Sequence, residues 1–122
     1  MGIDIYMRWK GMKKGDEGAQ ATGFSVTSRT RWCLREAYHG EPYATRALLP
    51  EAFASRSGEA KIKAEILSQR LPAVLKVAAE RNKKLYKGSD QRGVLKAFRD
   101  FVGLAEKMEQ QTGEPVTIIA SY

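Results

Sequence analysis

The chain predicts an α+β fold: a small sheet that includes the N- and C-terminal strands, covered on one face by two longer helices (about 72–87 and 90–112). Three patterns carry this expectation. The first residues alternate apolar and polar at period two, the last seven are rich in β-branched residues, and residues 64–112 repeat apolar side chains at helical spacing. At 122 residues the chain is one domain over 1–122, long enough for a single core.

In order, Ile3, Ile5, Met7 and Trp9 fall on one face of the first strand, with Asp4, Tyr6 and Arg8 on the other. Lys10 to Gly18, with three glycines and mixed charge, ends that strand in a loop. Gly23 to Thr27 restores β character. Leu34 to Tyr38 reads as a short helix that Gly40 and Pro42 terminate. Pro50 suits the first position of a helical turn running to Phe53.

Leu67, Leu71, Val74, Ala78 and Leu85 then share one face of a helical segment. Proline lacks an amide proton and crowds the preceding turn, so Leu71-Pro72 predicts a break. The expectation is a short helix to about Gln69 and a longer one from about Pro72. Gly88-Ser89-Asp90 supplies an N-cap for the last helix. Its stripe is Val94, Ala97, Phe98, Phe101, Ala105 and Met108, and Gly113 with Pro115 stops it. Val116 to Tyr122 closes the fold as a strand. Val116 to Ile119 carries no charge to guard an open edge, which predicts a homo-oligomer, most simply a two-fold dimer.

The net charge of +7 favours acidic partners and argues against a protein that imitates DNA with carboxylates. A single cysteine, Cys33, excludes an internal disulfide, and with His39 as the only histidine a structural zinc site is not expected. No cofactor or metal is implied. Such cysteine usage suits a reducing cytoplasm. No run approaches the ~20 apolar residues that a membrane span needs, and the opening passes straight into a strand pattern without a signal-peptide profile.

The stretch from Phe24 to Arg46 holds the strongest site signal. Arg29, Arg31, Arg35 and Arg46 are interleaved there with Trp32, Tyr38 and Tyr43. Guanidinium forks bind phosphate or carboxylate in bidentate fashion, and flat rings offer a stacking face. The candidate ligand-binding set is therefore Arg31, Trp32, Arg35, Tyr38, His39, Tyr43 and Arg46. Arg35, Tyr38 and His39 share a face if their turn is helical, and the Gly40-Glu41-Pro42 turn returns Arg46 to the same concave side. The competing reading has the rings filling the second face of the sheet, with the arginines as ordinary surface charge.

Glu36 and His39 form a candidate acid–base pair on that turn, but no nucleophile stands at a recognisable spacing, so no catalytic residue is assigned. Cys33, between Trp32 and Leu34, reads as a buried thiol. A second region, Arg81, Lys83, Lys84, Lys87, Arg92, Lys96 and Arg99, sets seven cations against the single carboxylate of Asp90. It is either a solvated face around a helix connection or a phosphate-facing patch for nucleic acid. Gly88 and Gly93 have the spacing of a phosphate loop, but Val94-Leu95 stands where Lys-Ser/Thr is required.

The opening MGIDIYMRWKG, the TGFSV and LREAYHGEPYATR segments, the LLPEAF and the ending TGEPVTIIASY together resemble a family of small bacterial and phage- or prophage-associated proteins. The resemblance spans most of the chain and implies no particular activity or catalytic residues. It implies a mobile-element setting, in which small accessory proteins block host components or sequester defence signals. The leading expectation is a non-enzymatic binding protein that captures an anionic, nucleotide-like ligand. An inhibitor docking on a host protein, a nucleic-acid-binding module built on the 81–99 patch, and a small hydrolase or phosphotransfer enzyme around Glu36 and His39 follow in that order.

Overall fold

Strand β1 (Gly2–Arg8) buries Ile3, Ile5 and Met7 and leaves the alternate residues more open, as a period-two strand on one packed face requires. A computed structural model of the protein describes residues 2–12, 33–37, 40–85 and 92–122. The expected strand at Gly23 to Thr27 and the N-cap at Ser89 and Asp90 lie outside them. The described elements continue with β2 (Cys33–Ala37), α1 (Ala44–Leu48), α2 (Pro50–Ala54), β3 (Glu59–Ile62), α3 (Ala64–Leu85), α4 (Arg92–Thr112) and β4 (Val116–Ser121).

The four strands form one antiparallel sheet in the order β2-β1-β4-β3, so the first and last strands pair at its centre. Ile5 sits opposite Ala120 and Met7 opposite Ile118, while Ile3 faces Glu36 and Ile5 faces Leu34 across β2. Opposed residues point to the same face, which makes one continuous inner surface. The helices cover that surface. Phe98 and Phe101 are buried in the same cluster as Ile3, Ile5, Met7 and Ile118, with every expected member of the α4 stripe inside. No described helix is long and apolar enough to cross a membrane.

Three expectations are corrected. The helix expected from Leu34 is not formed: residues 33–37 are a strand paired to β1, and Tyr38 lies outside the described residues. Leu, Arg, Glu and Ala are good helix formers, but tertiary context overrides propensity over so short a run, and pairing buries Leu34 and Glu36 together at period two. Nor does Pro72 split α3, which runs unbroken from Ala64 to Leu85. Pro72 is solvent-exposed, so the Ser68 carbonyl that loses its amide donor lies on the watery side, while the stripe of Leu67, Leu71 and Val74 holds both halves in line. Finally, β4 is an interior strand with a neighbour on each side, so Val116 to Ile119 is no open edge and the argument for a dimer loses its premise.

The sequence reading did not anticipate β3. It closes the sheet beside β4 through Gly58, where φ is +74° and a Cβ would stand 2.7 Å from the Ala120 carbonyl oxygen. Only glycine fits so close an approach in that conformation. On the helical side, Glu51 of α2 grips Arg70 of α3 through two bonds of 2.7 Å, and Arg70 also donates to the Leu48 carbonyl at 2.9 Å. The guanidinium holds the Glu51 carboxyl below its ordinary value, chiefly by hydrogen bonding.

Candidate functional site

Strand alternation decides where the predicted site residues go. Glu36 shares the inner face with Ile3, whereas Arg35 is opposite Asp4 on the outer face. Arg35 Nε lies 3.5 Å from Asp4 Oδ1, a loose ion pair across two strands. Arg46 is instead on α1, whose first amides are held by Glu36 from the inner side. Arg35 and Arg46 therefore stand on opposite sides of the sheet and do not converge. Arg31, Trp32, Tyr38, His39 and Lys87 lie outside the described residues, so of the ligand-binding set Arg35, Tyr43 and Arg46 are described, and Tyr43 and Arg46 come together.

Around these two the structure builds something the sequence reading did not contain. Glu36 is 1% exposed, and each of its oxygens is engaged. It accepts from the Ala44 amide at 2.8 Å, the Thr45 amide at 3.0 Å and the Thr45 hydroxyl at 2.6 Å. These are the first two amides of α1, which helical geometry leaves without intrahelical partners. The carboxylate caps a helix that lacks a side-chain cap of its own. Its lone pairs are committed, so Glu36 is an anchor and not a free general base.

The counter-charge is Arg81, 7% exposed, with Nε 2.9 Å from Glu36 Oε2. The Nε–H does not aim along that line, so the contact counts as an ion pair rather than a hydrogen bond. Arg81 Nη1 donates to the carbonyls of Gly40 and, at 2.9 Å, Pro42. Its guanidinium also lies 4.8 Å from the Tyr43 ring centroid, within cation–π range. Arg81 thus belongs to the interior, which corrects its place in the surface patch. It falls on the inward stripe of α3, three residues past Ala78, and its guanidinium is needed there to neutralise Glu36.

This clasp pins the Gly40–Pro42 turn against the second half of α3. Between them lies a groove of about 230 Å³, lined by Gly40, Glu41 and Pro42 from the turn and by Val77, Glu80, Arg81 and Lys84 from the helix. The two basic regions of the sequence meet at this point. Arg46 stands at the rim, donating to Glu41 Oε1 at 3.0 Å, with its guanidinium 5.1 Å from the Phe53 ring centroid and 5.9 Å from that of Tyr43. Tyr43 is half-buried under the two arginines, so its ring braces them rather than offering a bare stacking face.

The other described members of the basic patch are exposed. Lys83 and Lys84 end α3, while Arg92, Lys96 and Arg99 share a face of α4 at i, i+4 and i+7, with Lys96 paired to Asp100. Among the described residues no three His, Cys, Asp or Glu side chains gather as a metal site would require. Sequence reasoning missed Val77, Glu80 and Phe53 as neighbours of the site. The signal for Arg81 was present, since a cation on an otherwise apolar stripe demands a buried partner. No protein-family model, curated protein or solved structure matches the chain.

Proposed function

We propose that the protein is a binding protein that captures an anionic, nucleotide-like ligand in the groove between the Gly40–Pro42 turn and α3. The observation that carries this reading is the Arg81 clasp, which gives the turn a fixed shape beside exposed Lys84 and Arg46. Lys84 offers an ammonium to a phosphate, and Glu80, one helical turn away on the same face, accepts from a sugar hydroxyl. Val77 and Pro42 provide apolar wall. Preorganised groups around a partly apolar concavity are what small-ligand sites share. In a phage or prophage setting, capture of this kind would withdraw a nucleotide signal from the host.

The test is calorimetric titration with adenine and guanine mono-, tri- and cyclic nucleotides, on wild type and on Lys84→Glu. Loss of one charge-assisted contact costs ~1.5–3 kcal/mol, so Lys84→Glu should weaken binding by at least about tenfold at unchanged thermal stability. Absence of heat with every nucleotide at millimolar concentration, or an affinity indifferent to Lys84→Glu, would refute the reading. The exposed cations at the start of α4 favour a second reading, nucleic-acid contact through the same end of the helix pair, which steep salt dependence on random duplex would reveal.

A further inference from the structure

A second groove, open and of about 440 Å³, lies where the Ser55–Gly58 turn is clasped against the end of β4, with Tyr122 on its wall. Arg56 at its lip is exposed and has no carboxylate partner among the described residues. Ser55 and Ser57 face each other there, their hydroxyls 3.0 Å apart. Tyr122 is 60% exposed, the one exposed large hydrophobic side chain among the described residues. It is nevertheless held in place. Its hydroxyl donates to the Phe53 carbonyl at 3.1 Å, and its ring centroid lies 5.0 Å from that of Phe53.

Those contacts link the two grooves. Arg81 of the first groove packs on Tyr43 at 4.8 Å, Tyr43 neighbours Arg46 at 5.9 Å, Arg46 packs on Phe53 at 5.1 Å, and Phe53 meets Tyr122 of the second at 5.0 Å. The result is a continuous strip of arginines and rings, capped at one end by Lys84 and at the other by Arg56. Cations beside anchored aromatic rings suit a repeating ligand that carries a phosphate and a flat base in each unit. A ring that is exposed yet tethered is also a stacking surface that loses little entropy on contact.

We infer that the ligand is a single-stranded oligonucleotide, its phosphates bound at Lys84, Arg46 and Arg56 and one base stacked on Tyr122. This rests on the nucleotide reading of the first groove and extends it along the strip. A duplex is disfavoured, since its bases are stacked on one another and have no free face for Tyr122.

Fluorescence anisotropy with labelled oligothymidylates of increasing length tests this, with thymidine monophosphate titrated by calorimetry in parallel. Affinity should rise with length to a plateau near the low end of the range for such proteins, about 4–8 nucleotides. Tyr122→Ala should lower affinity for an oligomer of about eight nucleotides roughly tenfold while mononucleotide binding stays unchanged. Arg56→Glu, at an exposed side chain, should do likewise at unchanged thermal stability, which keeps the test decisive if Tyr122→Ala loosens the fold. Oligomers that bind no more tightly than the monophosphate, or a preference for duplex, would overturn the inference and leave the first groove standing. Oligomer binding that needs Tyr122 and Arg56 but ignores Lys84→Glu would overturn the first groove and, with it, the run of phosphates from Lys84 to Arg56.

Discussion

Replacing Arg81 by methionine tests the structural core of the site. Methionine keeps most of the side chain's volume and flexibility while deleting the guanidinium. Glu36 would then remain at 1% exposure with three donors but no counter-charge. Breaking a buried pair by removing one partner costs ~3–5 kcal/mol. The Gly40 and Pro42 carbonyls belong to exposed residues, so water replaces much of what they lose, adding no more than about 1 kcal/mol. The expected cost is therefore about 4 kcal/mol out of a stability on the order of 5–15 kcal/mol. With a urea m-value near 2 kcal/mol/M, the midpoint should fall by roughly 2 M at unchanged m. Adding Glu36→Gln should recover part of the loss, because the uncompensated charge goes too, giving a coupling energy of ~1–3 kcal/mol in the double-mutant cycle. A midpoint shift of under about 0.3 M for Arg81→Met, or single costs that simply add, would show that the clasp does not hold the turn.

Phe101→Ala should cost ~3–5 kcal/mol in the same urea assay, since the ring is fully buried among the strands and α4. An effect below ~1 kcal/mol would contradict the packing described. Gly58→Ala should destabilise by ~1–3 kcal/mol through positive φ and collision with Ala120, whereas Ala54→Gly, at an exposed helix end, should cost ~1 kcal/mol or less. The Glu51 carboxyl is held below its ordinary value in the folded state, so its contribution is present above the ordinary carboxylate range and lost as pH falls through the folded value. The pair is partly solvent-screened, which limits the effect to about 1 kcal/mol. The stability gap between wild type and Glu51→Gln should therefore be present at neutral pH and shrink as pH falls below the ordinary carboxylate range, and a gap independent of pH would refute the ion-pair account.

The regular elements were legible because their periodicity is unambiguous. Ile3-Ile5-Met7 and the α4 stripe each repeat at one period only, and both are buried as the spacing requires. The helix expected from Leu34 to Tyr38 rests on good helix formers, and so short a run carries no signal of the strand that pairs with residues 33–37. Pro72 was over-read: its cost is real, but packing on both sides of an exposed proline exceeds it. The site was legible in composition and not in geometry. Alternation along β2 separates Arg35 from Glu36, and the partner of Glu36 lies 45 residues on, beyond the reach of any local pattern. Arg81 stands in a charge run in the sequence, yet the stripe of Leu67, Leu71, Val74 and Ala78 points it inward.

The order β2-β1-β4-β3 also bears on how the chain assembles. Residues 116–121 are the hinge pin of the sheet: β1 and β3 touch through them and have no pairing with each other. During synthesis both must wait, each with an unpaired edge, until the last strand emerges. The pairing that unites them spans nearly the entire sequence, the kind of distant contact that slows folding. Substitutions in β4 should therefore act on solubility during expression more strongly than their share of the core suggests. The helical pair, whose contacts are closer in sequence, is free to form while the sheet is still open.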